Sequence, residues 1–268
     1  IVWITTPLVW FSEETNNMFA NKVVLVTGGS AGIGAATVEL FAKEGAAVAF
    51  VGRNEDKLKE VAQRCELHGA KTLAIKADIS KDDEAKSVVK QTVAKFGKLD
   101  VLVNNAGIIR YATLLQPDLI ENFDETMNTN LRPVIIITNL AVPHLIESKG
   151  NIVNVSSVLS TWIKIHGSLS YSMSKAAMDH FTRGAATELA ASGVRVNSVN
   201  PGPVATEITH SSNLPSEYSQ DNIISKMTAL GKASDADEIG EIIMYLASDK
   251  ARSVTGSCYL IDNGMYLK

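Results

Sequence analysis

Residues 22–34 read KVVLVTGGSAGIG. Four consecutive apolar residues, Val23 to Val26, run into a turn with glycines at 28, 29, 32 and 34. A continuous apolar run, rather than an alternating one, suits a strand buried on both faces. The glycines let the backbone turn sharply and come close to a ligand, and the helix predicted from Ile33 to Lys43 would present its N-terminus there. The spacing is GxxxGxG with an added Gly29, not GxGxxG. The strand–glycine–helix order is nevertheless that of a turn that cradles a pyrophosphate, with a tight ligand-free turn as the plain alternative. No Gly-Lys-Ser or Gly-Lys-Thr follows, which argues against a P-loop.

The same pattern repeats downstream. AAVAFVG (46–52), KTLAIKAD (71–78), LDVLVNNAG (99–107), GNIVNVSS (150–157), VRVNSVNPG (194–202) and GSCYLID (256–262) all read as buried strands. Between them, helices are predicted over Glu55–Leu67, Lys81–Phe96, Leu119–Ser148 (with kinks at Pro133 and Pro143), Tyr171–Ala191 and Ala236–Ala247. Strands alternating with helices imply an α/β fold: a doubly wound, Rossmann-like parallel sheet in a single domain. The 268 residues, 46% hydrophobic and 20% charged, allow one large core. That domain is expected over 18–268. Residues 1–17 are apolar as far as Phe11 and lack the basic start and cleavage site of a signal peptide. They are read as an N-terminal extension or remnant, or as an arm that packs on a partner. Val204–Gly231 is irregular, either a lid over a substrate pocket or an ordinary surface loop.

A net charge of −4 gives no footprint for nucleic acid or an anionic membrane, and no apolar run is long enough for a membrane span. Cys65 and Cys258 match no metal spacing, so no metal is expected, and a reduced, cytoplasmic setting is the simpler reading. The end of the second strand bears on the cofactor. An acid there would hold the 2′-hydroxyl of NAD, whereas the sequence is Val51-Gly52-Arg53-Asn54. An arginine can bind a 2′-phosphate through paired, charge-assisted hydrogen bonds, so Arg53 points to NADP(H) over NAD(H). The alternative is a solvated arginine at a helix start.

The chain resembles the short-chain dehydrogenase/reductase family, in its smaller single-domain oxidoreductase branch. The resemblance covers about residues 20–265 and rests on TGGSAGIG, NNAG (104–107), Asn130 in MNTNL, NVSS (154–157), YSMSK (171–175) and PGPVAT (201–206), in the family's order. It implies that Tyr171 is the catalytic acid/base, Lys175 its partner, Ser157 the group that holds the substrate oxygen, and Asn130 the anchor of a water that relays protons. Ser157 lies 14 positions before Tyr171, where the family usually has 13, so Ser156 and Ser160 are rivals. The resemblance also implies cofactor contacts from Gly28, Ser30, Gly32, Ile33, Gly34, Arg53, Asn54, Asp78, Ile79, Asn105, Ala106, Gly107, Tyr171, Lys175, Pro201, Gly202, Val204 and Thr206. Asp78 could instead be a helix N-cap, and NNAG only a strand-ending turn. A homotetramer or dimer is also implied.

The chemistry agrees with the resemblance. Tyr171 and Lys175 are one helical turn apart, and a nearby ammonium favours phenolate, moving a pKa near 10 toward the working range. The expected reaction interconverts a carbonyl and a secondary alcohol on a small molecule. The alternatives are an NAD-preferring dehydrogenase of the same fold or a non-catalytic dinucleotide-binding protein. Tyr111, Trp162 and His166 are candidate substrate-pocket residues. Steroid, retinoid, sugar, 3-oxoacyl thioester and xenobiotic ketone all stay open, with a lean toward lipophilic compounds.

Overall fold

A computed structural model of the chain describes residues 17–163, 165–206, 208 and 226–268. Seven strands form one sheet: β1 Val23–Thr27, β2 Ala47–Gly52, β3 Thr72–Lys76, β4 Val101–Asn104, β5 Asn151–Val155, β6 Arg195–Pro201 and β7 Cys258–Ile261. Their order is β3-β2-β1-β4-β5-β6-β7, and every pairing is parallel. The described helices are α1 Gly32–Lys43, α2 Glu55–Glu66, α3 Asp82–Phe96, α4 Leu119–Asn130, α5 Arg132–Ser148, α6 Leu169–Leu189 and α7 Ala236–Ala247.

The period of two along each strand sorts the side chains between two cores. Val24, Val26, Val48, Phe50, Val103 and Val155 face α1, α2 and α7. Leu25, Ala49, Val51, Leu102, Ile152 and Val196 face α3, α5 and α6. With both faces covered, β1, β4 and β5 are buried at every position, hence the unbroken apolar runs. Local signals set the helix ends. Asn54 caps α2 by accepting from the Lys57 N–H at 3.0 Å. Asp235 and Glu238 form a reciprocal capping box on α7, and Gly97 ends α3 in the left-handed region.

The single helix predicted over Leu119–Ser148 is two helices, α4 and α5, broken at Leu131. Pro133 explains the break. It has no N–H, and its ring would strike the carbonyl one turn back, so it fits in the first turn of α5 but not in mid-helix. Pro143 does lie inside α5. Residues 1–16 and most of Val204–Gly231 lie outside the described residues. Among the described residues, no helix is long and apolar enough to cross a membrane.

The order of the sheet positions the site. The chain runs outward from β1 through β2 to β3, then returns to place β4 on the other side of β1. Loops leaving β1 and β4 diverge from that point and open a crevice at the carboxyl ends of the strands.

Candidate active site

The crevice is a cleft of about 550 Å³. At one end lie Gly28, Ser30, Gly32 and Ile33. Gly28 has φ +67° and Gly32 φ +53°. A Cβ on Gly28 would come within 2.8 Å of the Ala106 Cα, so the turn needs both the rare conformation and the missing side chain. Gly34 is the one predicted glycine that does not line the cleft. Its role is packing: a Cβ there would lie 2.1 Å from the Gly28 carbonyl oxygen.

Asn105 ties this turn to the β4 loop. Its Nδ2 donates to the carbonyls of Thr27 at 2.9 Å and Gly28 at 3.1 Å. The Thr27 hydroxyl accepts from the N–H groups of Asn105 at 3.0 Å and Ala106 at 3.1 Å. NNAG is therefore more than a strand-ending turn, since it clamps the glycine turn across the sheet. Asn105, Ala106 and Gly107 all line the cleft.

Arg53 and Asn54 line the wall at the end of β2, and Asp78 and Ile79 line it beyond β3. Asp78 accepts from the Ser80 N–H at 3.2 Å and hydroxyl at 2.7 Å. It is not the N-cap of α3, which is Lys81. Burial acts to raise the Asp78 carboxyl, but the Ser80 hydrogen bonds, with the Arg53 and Lys81 charges, outweigh it and hold the group low. Lys57 also lines this wall and was not among the sequence candidates. Its spacing, four past Arg53 on a predicted helix start, was the available signal.

Three side chains meet at the far end. Tyr171 and Lys175 project from α6, and Ser157 sits just past β5; all three are buried. Of the three rival serines, Ser157 is the one whose side chain acts on the Tyr171 phenol, favouring phenolate, while its Oγ accepts from the Leu159 N–H at 3.1 Å. The Ser156 hydroxyl instead donates to the Lys175 carbonyl at 3.1 Å, and the Ser160 hydroxyl accepts from Asn200 at 3.0 Å. The Lys175 amine donates to the Val155 carbonyl at 2.7 Å and lies 5.6 Å from the Tyr171 ring centroid. Asn130 is fully buried and does not line the cleft. Its amide holds the Ile108 backbone, accepting from N–H at 2.8 Å and donating to C=O at 2.9 Å. Gly107 lies between Asn130 and Lys175; a Cβ there would be 3.4 Å from the Asn130 Oδ1 and 3.5 Å from the Lys175 amine.

The electrostatics differ from expectation. The phenol is pushed up, not down: burial penalises phenolate more than the Ser157 hydrogen bond favours it. Burial likewise pushes the Lys175 amine down, to about 8, against the opposing field of Asp179.

Pro201, Gly202, Val204 and Thr206 close the cleft opposite α6. Next to the phenol, Tyr111 and Trp162 pack with Ile109, Leu159 and Met265 in an apolar cluster that includes Tyr171 itself. His166 is exposed and belongs to neither the cluster nor the cleft lining. Met265 comes from the last turn of the chain, a contribution that no sequence pattern marked.

The fit to a dinucleotide can be judged from these features. The N-terminus of α1, whose Ala31, Gly32 and Ile33 line the cleft, has no capping side chain and no acid in its first turn, so neither competes there for an anion. Cations, not a carboxylate, stand where β2 ends. Gly28, Ser30 and Gly32 would hold the pyrophosphate, and Arg53 the 2′-phosphate.

Comparison with known proteins gives concordant results. The family model for the short chain dehydrogenase matches residues 22–217. A 3-oxoacyl-[acyl-carrier-protein] reductase, FabG, of Thermotoga maritima is 38% identical over 247 residues, covering 92% of this chain and 98% of that protein. A crystal structure from Caenorhabditis elegans, described as of unknown function and with cofactor, superposes with a TM-score of 0.87 at 37% identity, covering 93% of this chain and 97% of that one. Another, from Burkholderia cenocepacia in complex with NADP, gives 0.85 at 34% identity, covering 93% and 100%.

Proposed function

The chain belongs to the short-chain dehydrogenase/reductase family, and on that premise we propose that it is an NADP(H)-dependent oxidoreductase interconverting a carbonyl and a secondary alcohol. The observation that carries this reading is one cleft with a glycine cradle and Arg53 at one end and Ser157, Tyr171 and Lys175 at the other. The nicotinamide, when bound, supplies or accepts the hydride. The protein's own work is on the oxygen. Tyr171 gives its proton to the oxygen as negative charge develops there, and Ser157 donates a hydrogen bond to the same atom. A phenol held protonated by burial suits the reductive direction, because the proton is in place when the alkoxide forms. Lys175, as ammonium, stabilises the phenolate left behind.

The apolar wall of Ile109, Tyr111, Leu159, Trp162 and Met265 supports a lipophilic substrate. A 3-oxoacyl thioester, the substrate class in the Thermotoga protein's name, belongs in the assay panel with steroid, retinoid and xenobiotic ketones. Exposed apolar residues Ile120 on α4 and Ile135, Leu140 and Ile146 on α5 support assembly as a dimer or tetramer.

The test is NADPH oxidation against that panel for wild type and Tyr171→Phe. The variant is expected to lose at least about 100-fold in kcat and to keep its NADPH affinity. Equal rates in the two proteins would remove Tyr171 from the chemistry.

A further inference from the structure

Asp179 lies one helical turn beyond Lys175 on α6 and is only 4% exposed. Its hydrogen-bond donors are neutral: Asn200 Nδ2 reaches one carboxylate oxygen at 2.8 Å, and the Ser198 hydroxyl reaches the other at 3.3 Å. A carboxylate buried among neutral donors is costly unless a cation shares its surroundings. Lys175 is such a cation. Its own hydrogen bond goes to a neutral carbonyl, that of Val155 at 2.7 Å, and among the described residues no salt bridge to the amine is formed.

We propose that Asp179 is a positioning residue for the proton-transfer centre: a fixed negative charge behind Lys175 that keeps the proton on the amine. Its location is locked by Asn200. The same Asn200 Nδ2, its two protons shared among three acceptors, also lies within hydrogen-bond distance of the Ser157 carbonyl, at 3.2 Å, and the Ser160 hydroxyl, at 3.0 Å. One buried network thus joins the carboxylate behind Lys175 to the turn that bears Ser157. The direction of the field agrees, since Asp179 is the group that opposes the effect of burial on Lys175.

Among the described residues, the surroundings contain few other charges. Toward Lys175, α6 presents the Tyr171 phenol, while the neighbouring groups of α4 and the β5 turn, Asn130 and Ser157, are neutral. Around Asp179 stand Arg183, one turn further along α6, and Cys258 on β7. Arg183 Nη1 donates to the Cys258 Sγ at 3.5 Å. Burial pushes the Cys258 thiol up, and the Asp179 charge adds to that, while Ser198 and Arg183 work against it.

The inference rests on the oxidoreductase reading for its purpose, but its test uses the resting protein and no substrate. Protein carrying 13C,15N-lysine is titrated by heteronuclear NMR, with the Lys175 signal assigned through Lys175→Arg. The wild-type midpoint is expected near 8. Asp179→Asn keeps the shape and removes the charge, and is expected to move the midpoint down by on the order of one pH unit. Asp179→Glu restores the charge and is expected to restore the midpoint. An unchanged midpoint in Asp179→Asn overturns the proposal. So does a wild-type midpoint below about 7, which keeps the test decisive should the neutral variant fail to fold. A protein with the expected titration but no turnover on any carbonyl would instead count against the proposed activity.

Discussion

Replacing Gly34 by alanine probes the cradle directly. The added Cβ would sit 2.1 Å from the Gly28 carbonyl oxygen and 2.4 Å from the Asn105 Nδ2. Both neighbours are fixed, one as backbone and the other by its bonds to the Thr27 and Gly28 carbonyls. Relief therefore requires α1 to move away from the turn or Asn105 to leave it. Losing two hydrogen bonds costs about 1 kcal/mol each, and overpacking adds about 1–3 kcal/mol, for a total of roughly 3–5 kcal/mol. For a domain of this size, that lowers Tm by about 5–15 °C. The turn moves with the helix, so NADPH binding weakens by at least about tenfold, a loss of ~1.4 kcal/mol. Thermal denaturation and cofactor titration by tryptophan fluorescence read the two effects. Gly184→Ala is the control. Its Cβ meets nothing within 4 Å on α6, and the change is expected to stabilise by about 0.5–1 kcal/mol. A Gly34→Ala protein that melts within 1 °C of wild type and binds NADPH equally well would refute the packing argument.

Arg53→Ala is expected to raise the Kd for NADPH by about tenfold or more, the worth of a charge-assisted hydrogen bond, and to leave NADH within about twofold. Equal changes for both cofactors would show that Arg53 does not read the 2′-phosphate. Lys175 gives a pH prediction. Burial pushes its amine down to about 8 in the folded chain, from the ordinary 10.5 of a lysine. The unfolded chain therefore holds more protons between these values, and stability rises with pH across that window. Relative to Lys175→Met, wild type should gain on the order of 3 kcal/mol from pH 8 to 10.5. Denaturant melts at several pH values measure this, and parallel profiles for the two proteins would show that the amine is not desolvated.

What could be read before the structure follows the reach of each physical signal. The strands were legible because burial on both faces demands continuous apolar runs, as in Val23–Val26. Helix ends were legible where a side chain makes the cap, as at Asn54, and less so at Leu131, where a proline two residues later sets the break. Each predicted site residue on a strand end reaches the cleft, because the parallel sheet aligns those ends. Two predicted residues that lie in helices, Gly34 on α1 and Asn130 on α4, do not line it, and both act one layer behind the surface. Lys57 carries a local signal in its spacing from Arg53, whereas Met265 is not legible because its place depends on packing between distant segments. The phenol's upward shift was missed for the same reason. Residue spacing shows that an amine is near, whereas burial, which dominates here, is a property of the whole fold.

The reversal of strand order between β1 and β4 has a consequence for synthesis of the chain. β1, β2 and β3 leave the ribosome as neighbours, yet the other edge of β1 stays open until residues 101–104 emerge to pair with Val24, Leu25 and Val26. Until then a bare apolar edge is offered to any other nascent strand. The β4 backbone that covers this edge of β1 leads directly into Asn105, which ties the glycine turn in place. Covering of this edge and locking of the glycine turn therefore arrive within a few residues of each other.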